Sequence, residues 1–387
     1  PQNVLRGMLY EPGKVDENGV YSGQQYPYLY NLIDQYRYQA KFNNGYAYNM
    51  MFVGPGWMNK IGRWEAPYAL LKASYEDGCA YYGKLKREGE LIDMTMSEFA
   101  DYYRQTKHYT EPECALWRDT IYGSEKQLFW YCDPYLRACV NMDQGGAIVD
   151  LRPYVAKLDW KVGIGTPHVQ EAGYPFLIQE KYRAGYFTHY AGEGTVRSAK
   201  LCHGGEEIDL CLCRTHAKFS EGEECGRHYR CLTLEPVEVE FTDLKVRLQT
   251  TETFVEGESD IRIERRVLSM SDPSAVLTIN EYCTACYGLT EYPEDMTGIT
   301  LALQKEGGSR AIRYAYQCRE DTEQGADAVS AVIPPIHTRL SLGCEGRDKA
   351  GYFKEGYAFS PMFTLGYTGT LREKEVFTTW LKLEKAD

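Results

Sequence analysis

The chain has 387 residues, of which 43% are hydrophobic and 25% charged, with a formal net charge of -12. That length and apolar content suit a sizeable core and two or three domains. The acidic balance, with no basic run, argues against a nucleic-acid partner, since phosphate binding needs concentrated positive charge, and no apolar run is long enough to span a bilayer.

Residues 1–44 are punctuated by Gly, Pro, Asn and Tyr. Within them, Leu29, Leu32, Ile33 and Tyr36 predict a helix from Tyr28 to Lys41. Tyr46 to Val53 is a short apolar run, stopped by Gly54-Pro55-Gly56-Trp57. A long helix is expected from Arg63 to Gly89, with Ala66, Leu70, Leu71, Ala73, Ala80 and Leu85 on one side and Gly89 as its C-terminal cap. The pattern repeats in LIDMTMSEFADYYRQT: a short apolar run, Thr95 or Ser97 as N-cap, then a helix carrying Phe99, Tyr102 and Tyr103. Alternating strand and helix is α/β grammar, but two units are too few to close a barrel or fill a doubly wound sheet.

From Gln127 the grammar changes. Apolar stretches alternate with turn clusters such as Asp133-Pro134 and Asp143-Gln144-Gly145-Gly146. Strands are expected at Phe176–Ile178, Asp209–Cys213, Tyr229–Leu234, Val237–Phe241, Leu244–Leu248, Thr278–Tyr282, Ala311–Tyr316, Thr338–Leu342 and Phe377–Leu383. The fold class read from this is α+β: a small α/β segment over residues 1–125, the end of a barrel on one reading, then a large antiparallel β-sandwich over 126–387.

The most informative stretch runs from Asp260 to Leu303. Asp260 to Leu268 alternates as a half-buried strand, Ser271-Asp272-Pro273-Ser274 makes a turn, and Ala275 to Tyr282 returns as a second strand. A polar, aromatic segment follows, with Tyr287, Glu291, Tyr292, Glu294 and Asp295. Rings that stack on pyranose faces, beside carboxylates that bond hydroxyls, suit a carbohydrate ligand. Two carboxyl groups can also cleave a glycosidic bond as acid and as base or nucleophile. The residues expected to act are Glu281, Glu291 and Asp295, with Tyr287, Tyr292 and Trp57 as stacking platforms. The alternative is a non-catalytic sugar-binding or assembly module. The 33 tyrosines fit either, and also fit surfaces that pack in a homo-oligomer.

The 13 cysteines are odd in number and scattered, which favours a reducing, cytoplasmic setting. Cys213-x-x-His216 and Cys225-x-x-His228 repeat one spacing on neighbouring segments, so a structural zinc site is expected there, set against burial of Cys211 and Cys213 as small apolar residues. Cys283-Thr284-Ala285-Cys286 lacks the helix that a redox motif needs. Turn chemistry accounts for Asp133 and Asp143. No Gly-x-Ser-x-Gly elbow, Walker loop or HExxH motif is found.

The Gly54 to Trp57 strand end, the helix within Met94 to Arg104 and the long β region together resemble carbohydrate-active enzymes in which a complete or incomplete β/α barrel precedes β-sandwich domains. Polysaccharide-deacetylase-like and α-mannosidase-like proteins are of this kind. The resemblance is one of layout and includes none of the deacetylase metal motifs, so it carries over no catalytic residue. It implies a catalytic half upstream of Pro1 or on an associated chain.

Overall fold

The computed structural model describes residues 33–34, 37, 68–106, 112–118, 125–156, 176–179, 195–286, 298–315, 317–357 and 361–386. The chain divides into two compact units: residues 1–108 with 119–125, and residues 109–118 with 126–387.

The first unit contains α1 (Tyr68–Arg87) and α2 (Met96–Thr106). α1 ends on Lys84, Lys86 and Arg87, whose charges suit a helix C-terminus. Gly89, at φ 75°, donates to the Lys86 carbonyl, and Glu90 donates to that of Leu85. These bonds satisfy carbonyls left open by the last turn. α2 begins with a reciprocal capping box: Glu98 N–H donates to Thr95 Oγ1 at 3.2 Å and Thr95 N–H to Glu98 Oε2 at 2.7 Å. Residues 91–95 are not a strand, so the expected second strand-helix unit is a helix with its cap alone. The expected strand at 46–53 lies outside the described residues, as does most of the helix expected from Tyr28.

The second unit is antiparallel β throughout its described strand pairs. In chain order it contains β1 (Glu113–Arg118), β2 (Gln127–Cys132), β3 (Leu136–Asn141), β4 (Ala147–Pro153), β5 (Ile178–Gln179), β6 (Val196–His203) and β7 (Glu206–Asp209). Then come β8 (Ala217–Glu224), β9 (Arg227–Leu234), β10 (Val237–Glu240), β11 (Lys245–Val255), β12 (Asp260–Met270) and β13 (Leu277–Cys286). The last group is β14 (Thr300–Lys305), β15 (Gly308–Arg313), β16 (Glu320–Gln324), β17 (Ala328–Ile333), β18 (Thr338–Glu345), β19 (Arg347–Tyr357), β20 (Pro361–Leu371) and β21 (Val376–Lys385). One sheet runs β1-β2-β3-β4-β6-β13-β20-β19-β16, and the other β15-β14-β17-β18-β21-β12-β11-β9-β8.

The sheets pack face to face over one core. β11 alternates buried Val246, Leu248, Thr250, Glu252 and Phe254 with more exposed neighbours, as period-2 side chains require. Across the gap, Phe254 stacks on Tyr131 with centroids 4.8 Å apart and contacts Phe129 at 5.5 Å. Several glycines sit directly opposite an aromatic ring, among them Gly222 by Tyr229, Gly343 by Trp380 and Gly366 by Tyr352. A Cβ at Gly343 would lie 2.0 Å from Trp380, so the ring occupies the space a side chain would need.

The expected turn at 271–274 forms, with Asp272 Oδ1 accepting from Ser274 N–H at 2.9 Å. The strand expected at Asp209–Cys213 is instead a 3-10 turn at Leu210–Leu212, because Asp209 caps it by accepting from Cys211 N–H. Both members of the Cys283/Cys286 pair are buried in β13. Among the described residues no helix is long and apolar enough to cross a membrane.

Candidate functional site

Strand direction gathers chain connections at one end of the sandwich. Cys132 and Leu136 bound the β2–β3 turn there, and the register carries Pro153, Val196 and Cys286 to the same end. In the other sheet the β8–β9 and β11–β12 turns lie at this end, because Val255 pairs with Tyr229. β14 also starts here: Thr300 pairs with Val332, near the end of β17, and β17–β18–β21–β12 carries the register back to the β11–β12 turn. The chain therefore leaves one sheet at Cys286 and enters the other at Thr300 on a single rim.

Three hairpin turns on that rim enclose a cleft of about 450 Å3, lined by Pro134, Tyr135, Gly226, Arg227, His228, Glu256 and Gly257. Each wall has a local cause. Cys225 and Gly226, at φ 53° and 77°, form a two-residue hairpin turn with positive φ at both positions, which matches strand twist. Glu256 N–H donates to the His228 carbonyl at 2.9 Å, tying two of the turns together. The third is fixed by Asp133, whose Oδ1 accepts from the Tyr135 and Leu136 amides at 2.7 and 2.9 Å. Tyr131 O–H donates to Asp133 Oδ2 at 3.1 Å, and the Tyr131–Phe254 stack lies beneath the cleft. Burial pushes the Asp133 carboxyl above its ordinary range, against the pull of those three hydrogen bonds. Asp133 is thus committed to the turn, as turn chemistry predicts.

The groups facing solvent are the half-exposed Tyr135 ring, the His228 imidazole, the Glu256 carboxyl and Arg227, which is ion-paired with Glu258. One ring, one carboxylate, one imidazole and one guanidinium can stack on a sugar face and exchange hydrogen bonds with hydroxyls.

Comparison with known proteins finds likeness of structure only. No protein-family model matches the chain, and neither does any curated protein. A galactose mutarotase-like protein from Clostridium acetobutylicum is 10% identical with TM-score 0.43, over 70% of this chain and 99% of that one. A galactose mutarotase-like protein from Lactobacillus casei is 8% identical with TM-score 0.41, over 66% and 99%. The 4-alpha-glucanotransferase from Thermococcus litoralis is 10% identical with TM-score 0.40, over 71% of this chain and 40% of that one. None of the three is a polysaccharide deacetylase or an α-mannosidase, and the fold stated above rests on strand pairing alone.

The residues expected from the sequence fall in three places. Trp57, Tyr287, Glu291, Tyr292 and Asp295 lie outside the described residues. Glu281 lies inside the sandwich, 2% exposed, where its Oε1 accepts from Arg265 Nε at 2.6 Å. It therefore belongs to a core ion pair, where the sequence led us to expect a catalytic carboxylate. Its parity showed this: it shares a strand face with Ile279 and Cys283.

The proposed zinc ligands are not brought together. Cys213 and His216 precede β8, whereas Cys225 lies in its far turn and His228 just beyond, so eight extended residues hold the pairs about 25 Å apart at ~3.3 Å per residue. Among the described residues no group of three or more His, Cys, Asp or Glu is placed to hold a metal ion. Asp143 pairs with Lys126 and Arg214, and Asp150 with Arg137 at 2.9 Å. Sequence reasoning missed Tyr135, Arg227 and Glu256, because hairpin tips meet only once strand order is known.

Proposed function

We propose that this chain is a carbohydrate-active protein that recognises glycans at the rim cleft. The observation that carries the reading is the convergence of Tyr135, Arg227, His228 and Glu256 from three hairpin turns on one concave surface. In this reading the Tyr135 ring stacks on a pyranose face, Arg227 donates to hydroxyl or ring oxygens, and Glu256 and His228 fix the orientation of neighbouring hydroxyls.

Glycan processing is the second reading. It rests on the carboxylates and rings within residues 287–297, between β13 and β14 in the chain. β3 and β13 are three strand spacings apart, about 14 Å at ~4.8 Å each, a span that a short oligosaccharide can bridge. In that reading Glu291 and Asp295 act as acid and base, with Tyr287 and Tyr292 as platforms.

A glycan array followed by calorimetry on a hit separates the readings. Binding that falls about tenfold or more in Tyr135→Ala, with no product formed, supports recognition. Product release that stops in Glu291→Gln supports processing. Glycan affinity unchanged in both Tyr135→Ala and Glu256→Gln removes the cleft from consideration.

A further inference from the structure

Four charged side chains meet between the sheets, all essentially inaccessible: Arg197 of β6 and Glu281 of β13 from one, Glu252 of β11 and Arg265 of β12 from the other. Their hydrogen bonds are incomplete. Arg265 donates Nε to Glu281 and Nη1 to Thr250 Oγ1 at 2.8 Å. Arg197 donates Nη2 to Thr379 Oγ1 at 2.8 Å. Both oxygens of Glu252, Nη2 of Arg265 and Oε2 of Glu281 are buried and have no hydrogen-bond partner among the described residues. A buried polar atom left unsatisfied costs about 1–3 kcal/mol, so four of them side by side are a strong demand for hydrogen-bonding partners.

We propose that these four side chains form an internal hydration site, in which ordered water bridges Glu252 to Arg265 and Glu281 and Glu252 holds a proton. Water is the ligand the donor set fits. It donates to Glu281 Oε2 and the Glu252 carbonyl oxygen, and accepts from Arg265 Nη2 and the Glu252 hydroxyl. The proton follows from geometry: Glu252 is fully buried, and no ion-pair partner lies within 4.0 Å among the described residues. The charged groups facing it are Arg197, Arg265 and Glu281; Leu232 and Ile263 flank it across the sheet, and Leu234 and Gly146 lie close by. Burial pushes the Glu252 carboxyl up to about 8, against the opposing pull of Arg265 and Arg197. Gly146 closes the site: at φ 76°, a Cβ there would lie 2.3 Å from Leu234 and 3.3 Å from Glu252 Oε1.

The linkage has a definite sign. The native state keeps a proton that the unfolded chain releases near 4.5, so stability is greatest below that value and declines as pH rises towards about 8. The folded-to-unfolded ratio should fall up to tenfold per pH unit in that window. Glu252→Gln, which keeps shape and one donor without ionising, should lack this component.

The test is a high-resolution crystal structure of the full chain below pH 6, with denaturation of wild type and Glu252→Gln from pH 5 to 9. Water density within hydrogen-bond distance of Glu252 and Arg265, with pH curves that diverge above pH 5, is the expected result. A dry site, bromide density there in a halide soak, or parallel pH curves would overturn the proposal. Should the variant fail to fold, the wild-type density still decides.

Discussion

Replacing Glu281 separates a structural from a catalytic role for this carboxylate. Glu281→Leu leaves the Arg265 guanidinium fully buried, with its bond to Thr250 still in place. Breaking one partner of a buried ion pair costs about 3–5 kcal/mol, whereas replacing both with apolar residues of similar volume is often neutral or stabilising. Glu252 tempers the first figure, because an orphaned Arg265 favours its ionised form and recovers part of the loss. We therefore expect about 3 kcal/mol of destabilisation for Glu281→Leu, and within ~1 kcal/mol of wild type for Arg265→Met with Glu281→Leu. Urea denaturation of the two singles and the double closes the cycle, with glycan binding measured on the same samples. A Glu281→Leu protein as stable as wild type but without glycan activity would refute this reasoning and restore Glu281 as a site residue.

Three further outcomes follow from the same structure. Glu355 is buried and resists ionisation for that reason, yet Arg319 and the amides of Ala315, Gln317 and Arg319 hold its carboxyl below the ordinary range. Its stabilisation is present above the unfolded value near 4.5 and lost as pH falls through the folded one. Glu355→Gln should cost about 2 kcal/mol, one charge-assisted bond's worth, speed hydrogen exchange at those amides, and flatten the acid limb of the stability curve. Gly366→Ala should cost about 1–3 kcal/mol by overpacking, since its Cβ would lie 2.3 Å from the Tyr352 ring, which is anchored by a 2.6 Å bond to Asn280; thermal melts report it. Metal analysis of purified protein should find no stoichiometric zinc, and Cys225→Ser with His228→Ala should leave the melting temperature within about a degree, as exposed turn substitutions usually do.

Much of the local structure was legible in the chain itself. Thr95 or Ser97 announced a helix start, Gly89 a helix end, Asp272-Pro273 a turn, and the alternation through Asp260–Leu268 a strand, because each signal depends on neighbours within a few residues. Strand parity carries further information. Glu252, Arg265 and Glu281 each lie on the apolar face of their strands, between Leu248 and Phe254, Ile263 and Val267, and Ile279 and Cys283. That pattern marks them as buried. What it leaves open is the partner: Arg265 meets Glu281 from the opposite sheet, and the hairpin tips at Tyr135, Arg227 and Glu256 come from strands whose neighbours are set by sheet order. Turns and faces are encoded by short-range sterics and period, so residues reveal them one stretch at a time. Contacts between sheets depend on how every strand is ordered and aligned, and only the assembled sandwich decides that.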